Sequence, residues 1–135
     1  MKDSALVLTV TGLSISLLAS SAFPHHSFAS VFDAEKPIRL TGTVTKVEWQ
    51  NPHAWFYLDV TDDSGHSSNW GMELASPNLL LRSGWTRSAV TVGDAVTVEG
   101  FQARDGSNTG NAQSVTLNAT GKIFTMGSAR TGRGQ

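Results

Sequence analysis

Between Ile38 and Met126, apolar and polar residues alternate in short runs separated by turn formers, the period of half-buried β-strands. In the first run Leu40, Gly42 and Val44 share one face, but Val47 and Trp49 fall on the opposite parity. A slip of one residue within a run is what a β-bulge produces, and it bends a long strand so that its halves serve different neighbours. The second run, Ala54 to Thr61, sets Ala54, Phe56, Leu58 and Val60 against Trp55, Tyr57 and Asp59. Asp62-Asp63-Ser64-Gly65 reads as a hairpin connection, and on the return Trp70, Met72 and Leu74 alternate with Asn69, Gly71 and Glu73. Antiparallel pairing then predicts Asn69, Gly71 and Glu73 beside Trp55 and Tyr57 on one outward face. By the same parity His53 begins that face, directly after the turn signal Asn51-Pro52.

Ser76-Pro77 has the form of a helix N-cap followed by proline at the first helical position, and Gly84 is the matching stop. The short helix carries Leu79, Leu80 and Leu81, with Trp85 just beyond it, and is placed to plug one end of a barrel. After Gly93-Asp94 a strand from Ala95 to Ala103 follows, with Gly100 permitting a kink. Arg104 to Gly110 reads as a polar loop, and Ala112 to Leu117 with Lys122 to Met126 as a final hairpin. The order is mainly all-β: an OB-fold-like small barrel of five to six strands with one short helix after strand three. A β-sandwich uses the same elements. Residues 23–37 read as an extended arm pinned by Phe28 and Phe32, residues 38–126 as the domain, and residues 127–135 as a disordered tail.

The first 22 residues read as a leader rather than as part of the fold: Lys2, an apolar run to Leu18, then Ser20-Ser21-Ala22 as a cleavage site. The run is too short and too rich in hydroxyls for a good membrane span, so no stable span is expected after cleavage. This places the protein in the periplasm of a bacterium or outside the cell. With 10 Lys and Arg against 11 Asp and Glu, no basic surface for nucleic acid is expected. The absence of cysteine excludes disulfides and thiolate metal sites.

The strings His25-His26-Ser27-Phe28, Gly42-Thr43-Val44, Asn51-Pro52-His53-Ala54-Trp55, Trp70 with Glu73, Gly84-Trp85 and Gly93-Asp94 resemble the motifs of a bacterial family of small exported proteins of unknown function. The resemblance spans nearly all of the chain after the leader. It implies a periplasmic, β-rich, OB-like protein and no particular activity.

Three chemistries compete for the His53 turn. A metal site would use His25, His26, His53 and Glu73, and imidazoles with a carboxylate suit copper, zinc or nickel. Neighbouring histidines on an extended chain point opposite ways, so one of His25 and His26 would join His53. A copper clamp at a new amino terminus is disfavoured, because Pro24 has no amide proton to lose. Alternatively, Trp55 and Tyr57 form a stacking platform with Asn69 beside them, for a small ligand or as a protein-interaction module. The bland reading is that the arm covers these rings with Phe28 or Phe32. An enzyme is the third class, a small hydrolase using His53 as base and Glu73 to orient it, with no electrophile or oxyanion pocket identified. Asp62-Asp63 and Asp105 to Asn108 lack the full spacing of a calcium loop and read as turns.

Overall fold

The computed structural model describes residues 27–126. The expected leader, His25, His26 and the expected tail lie outside the described residues. A short helix α1 (Phe28–Val31) leads into the long strand β1 (Phe32–Glu48), followed by β2 (Trp55–Thr61) and β3 (Ser67–Glu73). A second helix, α2 (Pro77–Arg82), precedes β4 (Ala95–Ala103), β5 (Thr109–Leu117) and β6 (Ile123–Thr125). No helix among the described residues is long and apolar enough to cross a membrane.

β1 is the strand on which the others are assembled. Its first part pairs antiparallel with β4 as far as Thr43, and its second part pairs antiparallel with β2 from Gly42 onward. Gly42 and Thr43 therefore have a strand on each side. The backbones close in tightly here: a Cβ on Gly42 would lie 2.2 Å from the carbonyl oxygen of Asp59. Just beyond, the register with β2 shifts between Val44 and Lys46. This is the bulge implied by the change of parity.

The sheet order is β3-β2-β1-β4-β5-β6, and β5 also meets β3 in parallel through Gly71–Thr109, Met72–Gly110 and Glu73–Asn111. The strands thus form a ring from one mainly antiparallel sheet, not two facing sheets. Its inside holds the fully buried Val44, Phe56, Leu58, Met72, Val96, Val98 and Val115. Alternation on β2 and β3 follows directly, since side chains of odd and even positions must leave opposite faces of the wall. A second register shift, between Glu99 and Gly100, bends β4 against β5.

The Ser76 side chain caps α2 by accepting from the Leu79 amide, and Gly84 at φ 91° ends it. Leu80 is fully buried while Leu81 is half exposed, so only part of the leucine run serves the core. Trp85 packs on Phe124, with ring centroids 4.9 Å apart, and its Nε1 donates to the Thr125 carbonyl at 2.8 Å. The helix and its following tryptophan thereby hold the short strand β6.

Two strands begin well before the periodicity does, and the arm read as extended contains α1. β1 begins at Phe32 rather than Ile38, because Phe32 pairs with Ala103 across an irregular, exposed stretch that carries no alternation. β5 begins at Thr109, because the partner that turns Thr109 and Gly110 into strand is β3, distant in sequence. The rings of Phe28 and Phe32 do not follow the bland reading of an arm laid over the aromatic pair. Phe28 lies 5.7 Å from Phe32 and 5.8 Å from Phe101 on β4, rather than over Trp55 and Tyr57. Arg104 fixes this corner by donating to the carbonyls of Ala29 and Val31. The aspartate turns behave as turns: Asp62 accepts from the Ser64 hydroxyl and amide and from the His66 amide, which hold its carboxyl below the usual range.

Candidate functional site

Pairing of β1, β2 and β3 lays the outward residues of the Trp55 face in rows. Glu48, Trp55 and Glu73 form the first row, with Asn111 of β5 beyond them. Lys46, Tyr57 and Gly71 form the second, continued by Thr109. Thr43, Asp59 and Asn69 form the third. The bulge decides the membership of the first two rows. Without it Lys46 and Glu48 would keep the inward parity of Val44; with it, they stand beside Tyr57 and Trp55.

Trp55 and Tyr57 stack along the strand, their planes 21° from parallel and centroids at 6.5 Å, and together make a short aromatic strip. Gly71 makes room for it. A Cβ at that position would meet Tyr57 Cε1 at 3.1 Å, tight enough that the ring would have to yield. Gly71→Val is expected to tilt Tyr57 away from Trp55 and lower affinity for any ligand of the strip about tenfold. Retained thermal unfolding with altered Trp55 and Tyr57 resonances would establish this; an undisturbed ring pair would refute it.

Charge surrounds the strip on several sides. Lys46 is ion-paired with Glu48, and its Nζ sits 5.3 Å from the centroid of the Tyr57 ring. Tyr57 donates its hydroxyl to Glu48 Oε2 at 3.2 Å. Hydrogen bonding to Lys46 holds the Glu48 carboxyl below the usual range, and the same contact raises Lys46. Burial pushes the Tyr57 phenol up, with the hydrogen bond to Glu48 adding to it and Lys46 opposing it. A raised phenol contributes stability that is complete below the unfolded tyrosine range and is lost as pH rises through the folded value. The chain has a single tyrosine, so the phenolate ultraviolet band reports it alone. The native band is expected to develop at higher pH than in denaturant. Glu48→Gln should move it part of the way back, since burial remains; coincident native and denatured curves would contradict this.

His53 enters from the turn before β2. Ala54 exchanges backbone bonds with Ala75 and Leu74, extending the β2–β3 ladder past Trp55 and bringing His53 diagonal to Glu73. His53 Nδ1 pairs with Glu73 Oε1; the imidazole is half exposed, whereas the Glu73 side chain is only 14% exposed. Asn69 donates to Asp59 at 2.8 Å and to Thr45 at 3.2 Å, so it braces the third row.

The structure therefore brings together Trp55, Tyr57, Asn69, His53 and Glu73, as parity predicts. His25 and His26 of the expected metal set lie outside the described residues. Among the described residues no group of three or more His, Cys, Asp or Glu is placed to hold a metal. Lys46 and Glu48 are the members that sequence reading passed over. The signal for them was the parity slip itself, which turned both outward, but not the identity of the strand they would flank.

No curated protein matches the chain. Residues 13–113 match a family of unknown function, DUF6152, a span that includes every row of the aromatic face and most of the ring. On that match, the chain belongs to the family of unknown function DUF6152.

Proposed function

We propose that this is an exported, OB-like binding or accessory protein that takes its ligand on the outer face of β2 and β3. The observation that carries the reading is the Trp55–Tyr57 strip, two rings kept nearly parallel on a sheet face and bordered by polar side chains. Rings held this way combine apolar area with a polar surround, the usual makeup of a recognition surface. The strand order, with β1 between β2 and β4 and β5 returning to β3, supports the OB-like description. In that fold the same face commonly binds ligands. The leader supports passage through the secretory route to the periplasm.

The test is a panel of sugars, aromatic acids and organic cations, followed through the Trp55 indole and Tyr57 ring resonances of the mature protein. Hits should lose at least about tenfold in affinity in Trp55→Ala, the loss of one stacking partner in a small site. Ligands that bind the Trp55→Ala, Tyr57→Ala double variant undiminished would place recognition elsewhere and reject the reading.

A second reading, a divalent metal site, is favoured by the His53–Glu73 pair. A metal-binding histidine ordinarily gives its other ring nitrogen to a carboxylate, which fixes the tautomer. His53 has that arrangement through Nδ1, which would leave Nε2 for copper, zinc or nickel together with a donor from His25 or His26. Tag-free protein is expected to take up metal and His53→Ala to lose it while remaining folded. Unchanged stoichiometry in His53→Ala would reject the site.

A further inference from the structure

The binding-face reading above leaves the ligand's chemistry open, and the charges around the strip narrow it. Trp55 has a glutamate on each flanking strand, Glu48 on β1 and Glu73 on β3, and Asp59 stands in the third row. On those rows Lys46 is the balancing lysine, and it is already paired with Glu48. The faces of the two rings carry the negative end of the aromatic quadrupole. Carboxylates and ring faces thus favour the same sign of charge.

Lys46 shows where such a charge sits. Its ammonium is 5.3 Å from the Tyr57 centroid, within the range of a cation–π contact, and Glu48 holds it there. The protein thus supplies a tethered cation for the Tyr57 half of the strip. Trp55, between Glu48 and Glu73, the latter carrying the half-exposed His53 imidazole, is the half left for a cation from outside.

We propose that the face recognises a small organic cation with an alkylated ammonium group, seated on Trp55 between Glu48 and Glu73, and that Lys46 limits access by occupying the Tyr57 ring. A small ligand fits better than a protein partner. A stable protein interface covers about 800 Å² on each side around an apolar centre. The large exposed apolar residues among those described, Val31, Leu81, Val92 and Ile123, belong to none of the rows that form this face.

Choline and dimethylbutanol, its uncharged carbon isostere, form the test pair, titrated into the mature protein and read at the Trp55 and Tyr57 resonances. Choline should bind about fivefold more tightly than the isostere, the scale of an exposed cation–π contact, and should weaken as salt is added. Lys46→Ala should bind choline about threefold more tightly, while Glu73→Gln should bind it more weakly. The Lys46 side chain is 59% exposed, so its removal leaves the fold in place. Equal binding of both probes at Trp55 would overturn the cation proposal and leave the face reading standing. Choline binding that survives the Trp55→Ala, Tyr57→Ala double variant would overturn both. Absence of choline binding would overturn the cation proposal, and weaker binding in Lys46→Ala would overturn the role given to that residue.

Discussion

Trp85→Ala is expected to lower the unfolding free energy by about 4 kcal/mol, within the range for deleting a large buried aromatic. Trp85 is 2% exposed, packs on Phe124 and donates its indole hydrogen to the Thr125 carbonyl. Removing it leaves a cavity under β6 and an acceptor without its donor. For a domain of about 100 residues, each kcal/mol corresponds to roughly 4–8 °C in melting temperature. Trp85→Phe separates the terms, because it keeps a ring against Phe124 and loses the hydrogen bond, for a cost of about 1–2 kcal/mol. Denaturant unfolding of both variants checks this, with amide exchange on β6 as the local readout. A Trp85→Ala protein within 1 kcal/mol of the parent would mean that β6 is held from elsewhere.

Gly42→Ala should cost about 3 kcal/mol, at the upper end for overpacking. The added methyl would meet the Asp59 carbonyl oxygen at 2.2 Å, and that atom is backbone, so β1 and β2 must move apart. Movement is costly there because Gly42 is also paired with Val96 of β4. Gly65→Ala provides the contrast. Gly65 has φ 83° with nothing near the added methyl, so its cost is the backbone strain alone, about 1 kcal/mol. Urea midpoints of the two variants should therefore differ clearly. If they coincide, close packing at Gly42 is not what excludes a side chain.

The parity of Trp55, Tyr57 and Asp59 against Phe56 and Leu58 was legible in the sequence because a sheet wall with one wet side imposes a period of two. The short hairpin after Thr61 then put Asn69, Gly71 and Glu73 on the face of Trp55 and Tyr57, while the register that sets Trp55 opposite Glu73 is seen only in the folded pairing. The α2 cap was legible for a similar reason, since Ser76, Pro77 and Gly84 act within a few residues of one another. What depended on distant segments was not legible. The link from Gly71 to Thr109 joins strands far apart in the chain, and no local preference marks it. The placement of Phe28 on Phe101 likewise rests on packing between remote elements. The Lys46–Glu48–Tyr57 cluster lay between these cases. The slip after Val44 turned the charges outward, but only the pairing of β1 with β2 shows which ring they meet.

The parallel contact between β3 and β5 involves Gly71, Met72 and Glu73 alone on the β3 side, and two of those three also belong to the aromatic face. The seam that shuts the ring and the surface that meets a ligand are thus made from the same backbone. So short a seam is expected to open more readily than the longer ladders, and a guest that orders Glu73 would steady the β3 side of it. Occupancy should then be felt as slower solvent exchange at the Gly71 amide, which is bonded to the Asn108 carbonyl on the far side of the join.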